Sequence, residues 1–74
     1  MFDLRLRNAA HIRHYSITPG EESCWEVRLE EDDTLQRHHR YQDWHRVERA
    51  LTQFEREVLE LTTRGWELAT KSSP

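Results

Sequence analysis

The chain has little of what most catalytic, secreted or membrane-bound architectures need. Its 74 residues include one cysteine, Cys24, with two glycines and two prolines. A single thiol excludes an internal disulfide framework and fits a reducing compartment, so a cytoplasmic location is expected. No apolar run approaches the ~20 residues of a membrane span, and no membrane association is expected. The opening segment MFDLRLRNAA interleaves acid and base from residue 3, unlike the unbroken apolar stretch of a secretory signal. There is no nucleophile elbow, no glycine-rich phosphate loop and no second cysteine for dithiol chemistry. The chain is therefore expected not to be an enzyme and to need no cofactor.

Large apolar side chains are also scarce. Leu, Ile, Val and Phe number 15 of 74, close to the ~20% below which chains tend toward disorder. A net charge of only −3, three tryptophans and the shortage of glycine and proline argue the other way. These features predict one small folded domain over residues 1–70, with a frayed tail at 71–74. So lean a core predicts self-association, because a homodimer adds burial that a lone short chain lacks.

What is present is periodic. Residues 2–7 alternate, with Phe2, Leu4 and Leu6 on one parity and Asp3, Arg5 and Arg7 on the other. That pattern suits a half-buried strand or, at a terminus, an arm. Residues 11–18 carry the strand formers Ile12, Tyr15, Ile17 and Thr18, and Pro19-Gly20 supplies the central residues of a type II turn. Residues 24–30 give the clearest strand, with Trp25, Val27 and Leu29 inward and Trp25 expected at the centre of the core. Asp32-Asp33 offers a hairpin connection. Residues 34–41 return with Leu35 and Tyr41 on one parity, but Arg37 and His39 share it, so this strand is expected at an edge.

From Trp44 onward the spacing changes. Trp44, Val47, Leu51, Phe54, Val58 and Leu61 recur every three or four residues, along one stripe of a helix. Asp43 is placed to cap its start, and Gly65 to end it in a Schellman geometry with Trp66 folding back on Leu61. Residues 66–69 suit a short strand or a docked extension. The expected fold is α+β, an antiparallel sheet of three to four strands packed on one face by a single long C-terminal helix. The order is βββα, with room for an extra strand at either end.

Charge is segregated along the chain. Residues 21–33 hold seven acids (Glu21, Glu22, Glu26, Glu30, Glu31, Asp32, Asp33) against Arg28. Residues 37–49 hold Arg37, Arg40, Arg46 and Arg49, with His38, His39 and His45, against Asp43 and Glu48. Cross-strand pairing and solvation account for such segments, as does a bipolar surface that steers a partner. The five histidines lack metal-ligand spacing, since His38 and His39 fall on opposite faces of a strand, as do His11 and His14 in an odd-numbered step. No metal is expected, and Cys24 is expected to be a small packed side chain.

Around the helix the chain resembles the WGR domain. Ala50, Phe54 and the closing Gly65-Trp66 pair match that frame, and His14-Tyr15 and Trp25-x-Val27 are similar to its two preceding strands. The Trp-Gly-Arg tripeptide itself is missing, with Glu30-Glu31-Asp32 about where it would stand. The resemblance implies a sheet-plus-helix fold and nucleic-acid contact, but no residue here matches the family's arginine.

The leading expectation is a non-catalytic interaction module that self-associates and binds a protein partner, with Trp44 and Leu59 at the margins of the helical stripe. The expected partner-binding residues are Arg37, His39, Arg40, Arg46, Arg49, Tyr15 and Tyr41. A nucleic-acid binder would use these same side chains, with Arg13, as a basic face carrying aromatic platforms. The pI of about 5.9 lacks the electrostatic footprint of a phosphate binder. A third reading makes residues 21–33 an acidic nucleic-acid mimic.

Overall fold

In the computed structural model, which describes residues 2–72, the alternation of the first segment runs the length of a strand. Leu4 and Leu6 are buried while Arg5 and Arg7 are exposed along β1 (Phe2–Asn8). The chain continues through β2 (His11–Pro19), β3 (Trp25–Glu31), β4 (Thr34–Tyr41), α1 (Trp44–Thr63) and β5 (Glu67–Ser72). The five strands form one antiparallel sheet in the order β4-β3-β2-β1-β5. Both terminal segments are thus strands. Lys71 and Ser72, expected in a tail, belong to β5; Ser73 and Pro74 lie outside the described residues. Because β4 and β5 are opposite edges, α1 carries the chain across one face of the sheet.

That face is where the apolar residues went. Leu4 and Leu6 of β1, Tyr15 and Ile17 of β2, and Val27 and Leu29 of β3 pack with Val47 and Phe54 of α1. The Phe54 ring meets Tyr15 edge-on at 4.7 Å and lies 6.4 Å from Phe2. Tyr15, not Trp25, is the largest fully buried side chain. Trp25 is half-buried at the end of β3, where its ring tilts against Trp44 at 4.9 Å. The pair closes one end of the core rather than occupying its middle.

The helix termini follow from their residues. The Asp43 carboxylate accepts a hydrogen bond from the His45 amide at 3.0 Å, so α1 begins where its first amides find an acceptor. At the other end Gly65 has φ +106°, the Trp66 amide donates to Leu61 O at 3.0 Å and the Gly65 amide to Thr62 O at 3.4 Å. Those two bonds define a Schellman motif. Trp66 and Leu61 both pack against the core cluster.

Two details depart from the sequence pattern. The β2–β3 turn is not a type II turn at Pro19-Gly20. Pro19 is still paired, opposite Trp25, and Gly20 does not adopt positive φ. Instead the Cys24 amide donates to Glu21 O at 3.1 Å, with Glu22 (φ 57°) and Ser23 (φ 61°) both left-handed, as in a type I′ turn, whose twist suits a hairpin. Asp32 (φ 52°) and Asp33 (φ 63°) do the same between β3 and β4. In β4, Leu29 pairs with Arg37 but Glu30 pairs with Leu35. Gln36 is an extra residue in a bulge, and it swings Leu35 off the parity of Arg37 and onto the uncovered face, where it is exposed.

Candidate functional site

β4 sits at an edge where α1 covers it only in part. Its helix-side positions Arg37, His39 and Tyr41 pair across to Leu29, Val27 and Trp25. Facing them along one flank of α1 are Arg46, Arg49, Ala50 and Gln53, spaced by three, one and three residues. Between the two elements lies a cleft of about 320 Å³, floored by Val27 and Phe54 and walled by these side chains. The His39 and Tyr41 rings stack on its strand wall at 5.8 Å with an interplanar angle of 14°. Arg46 and Arg49 are exposed and make no salt bridge among the described residues. Their two charges stand open to solvent beside an apolar floor.

Arg37 differs. Its Nη2 donates to Glu57 Oε1 at 2.6 Å and its Nη1 to Glu57 Oε2 at 3.1 Å, a two-point bond from β4 to α1. The same carboxylate accepts from the Tyr15 hydroxyl at 3.4 Å. That hydroxyl accepts from Arg13 Nη1 at 3.0 Å, and Arg13 Nε donates to Glu31 at 2.6 Å. The Arg13 guanidinium also lies 5.8 Å over the Trp66 ring. A polar chain Glu31–Arg13–Tyr15–Glu57–Arg37 therefore runs beneath the helix from β3 through β2 to β4. Burial pushes the Tyr15 hydroxyl above its ordinary range, against the opposing pull of Arg13.

Of the seven side chains expected to bind a partner, five line the cleft: Arg37, His39, Tyr41, Arg46 and Arg49. Arg40 pairs with Glu26, on the opposite parity, and so lies on the uncovered face. Tyr15 is fully buried against Phe54 and offers no platform to a base. Gln53 was missed, although it stands one helical turn beyond Arg49 on the same flank. Glu57 was missed too; its signal is a charged residue three positions after Phe54, at the margin of the apolar stripe.

The acidic segment does not form one patch. Glu21 and Glu22 lie in or beside the β2–β3 turn, Glu26 and Glu30 face the uncovered side, and Glu31 points to the helix side. Glu26 bonds His38 at 3.0 Å and Asp32 bonds His11 at 2.8 Å. Asp32 also accepts from the Ile12 amide at 2.9 Å, tying the β3–β4 turn to the start of β2. The hydrogen bond to Asp32 holds His11 above its usual imidazole range, and the same bond, with the Ile12 amide, holds Asp32 below the usual carboxylate range. On the uncovered face His14 bonds Asp3 at 2.9 Å. Among the described residues no three His, Cys, Asp or Glu side chains converge as metal ligands, and no helix is long and apolar enough to cross a membrane.

Sheet, helix and cleft define a small α+β module with a basic, partly apolar recess between β4 and α1. Comparison with protein-family models, with curated proteins and with solved structures gives no match. Of the residues that resemble a WGR domain, His14-Tyr15 lie on β2 and Trp25 and Val27 on β3, Ala50 and Phe54 face the sheet from α1, and Gly65-Trp66 form the Schellman cap.

Proposed function

We propose that this chain is a non-catalytic interaction module whose β4–α1 cleft takes an acidic segment of a protein partner. The observation that carries this reading is the pair Arg46 and Arg49, two guanidinium groups without carboxylate partners among the described residues, beside a 320 Å³ recess. The chain as a whole is net negative at −3, so the recess is a local reversal of charge, which favours one orientation of an oppositely charged partner. Charge supports the proposal better than apolar self-association does. The exposed large apolar side chains Ile12, Leu35, Trp44, Leu59 and Leu68 are spread over four elements. For nucleic acid, the burial of Tyr15 removes one of the expected aromatic platforms.

Calorimetric titration with a glutamate-rich peptide, beside a single-stranded oligonucleotide, tests the reading. Two rim arginines at up to ~1 kcal/mol each predict that the Arg46→Ala, Arg49→Ala double variant weakens peptide binding by up to ~30-fold. Its melting temperature should stay within a few degrees of the parent, since both side chains are exposed. Binding of the oligonucleotide in preference to the peptide, or equal peptide binding by the double variant, would defeat the proposal.

A further inference from the structure

Resting on that reading, we infer that the partner segment binds as an added β-strand along β4, with alternate side chains lowered into the cleft. Among the described residues β4 has a sheet neighbour on one side only, β3, so its 8 residues present a row of backbone donors and acceptors along the other side. The cleft runs beside that open edge, because its strand wall is built from alternate β4 residues, Arg37, His39 and Tyr41. An incoming strand on this edge points every second side chain toward α1, where Arg46 and Arg49 stand.

Charge selects the occupant. β4 carries Arg37 and His39 on its helix side and His38 and Arg40 on the other. Pairing β4 with β4 of a second copy would bring the arginines of the two strands together, which is unfavourable where like charges oppose each other directly. An acidic strand would instead meet these arginines with opposite charge. A nucleic-acid strand would satisfy the arginines but leave the backbone row unpaired.

The test uses the whole chain, labelled with ¹⁵N, and an 8-residue peptide of alternating threonine and glutamate, matched to the length of β4. Four probes are compared: this peptide, two versions of it N-methylated at alternate amides in one register or the other, and an oligothymidine. The expected result is perturbation of β4 and Arg46–Gln53 resonances, and ~10-fold slower exchange of the β4 amides that do not bond to β3. Affinity should drop by ~10-fold or more for one N-methylated register and little for the other, as strand addition uses alternate amides. If both N-methylated peptides bind like the parent peptide, strand addition is wrong while the acidic-partner reading stands. If no peptide binds, or only the oligothymidine does, both fall.

Discussion

Replacing Glu57 with alanine removes the acid that joins α1 to both β2 and β4. The Arg37–Glu57 pair is neither surface nor core, with side-chain exposures of 38% and 22%. Fully exposed pairs contribute up to ~1 kcal/mol, whereas breaking a buried pair costs ~3–5 kcal/mol. The two-point geometry at 2.6 and 3.1 Å places this one between them, at ~2 kcal/mol. For a domain of this size, ~4–8 °C per kcal/mol gives a melting temperature lowered by ~8–16 °C. The assay is urea and thermal unfolding of Glu57→Ala, Arg37→Ala and the double variant. Because the loss is shared, the double variant should be little worse than Glu57→Ala, with a coupling energy of ~1 kcal/mol. Since the pair is partly shielded, most of that coupling should survive at 0.5 M salt, where the Debye length is only on the order of 4–5 Å. Coupling below ~0.3 kcal/mol would mean that the polar chain under the helix is geometry without energetic consequence.

Other outcomes follow from the same geometry. The His11 titration midpoint by NMR should lie above the ordinary 6.5 and return toward it in Asp32→Asn. The His11 share of this pair's stability is complete below 6.5 and lost as pH rises through its raised value. The Asp32 share is present above 3.8 and lost as pH falls through its lowered value. Asp32→Asn should therefore destabilise most between pH 4 and 6.5, and a flat profile would contradict the pairing. Gly65→Val should cost ~1–2 kcal/mol from backbone strain alone, because φ is +106° and a Cβ there meets nothing within 4 Å. Gly65→Asn should cost clearly less, and equal melting of the two would remove the left-handed assignment. Phe54→Ala should lose ~3–5 kcal/mol and exceed Trp25→Ala, since Phe54 is 3% exposed and Trp25 only half-buried. The reverse order in denaturant unfolding would relocate the centre of the core.

Local signals carried most of the fold. Strict alternation at Trp25, Val27 and Leu29 requires only nearest-neighbour geometry, and so does the three-and-four spacing from Val47 to Leu61. Asp43 and Gly65 act within one turn of their own positions, so both caps were legible. What depended on a distant partner was not. The bulge at Gln36 exists only relative to β3, and without it Leu35 falls on the wrong face. Pro19 looked like a turn residue because its pairing with Trp25 is a property of two strands. The cleft itself was half legible. Arginines at 46 and 49 are visible as one flank of a helix, but their position opposite Arg37 and His39 is set by the helix's path across the sheet. Arg37 on an inward parity looked like a defect in a strand; its explanation lies 20 residues away, at Glu57.

Strand β5 hydrogen-bonds to β1, with Ser72 opposite Asp3, so the pairing that completes the sheet joins positions almost the full sequence apart. The hairpins β1–β2, β2–β3 and β3–β4 need only short loops to close. The β1–β5 contact must wait until four strands and a 20-residue helix are in place. On a ribosome the meander would be free to assemble while the closing strand was still inside the exit tunnel. During that interval β1 would stand unprotected, offering nascent chains a route to mispairing with one another.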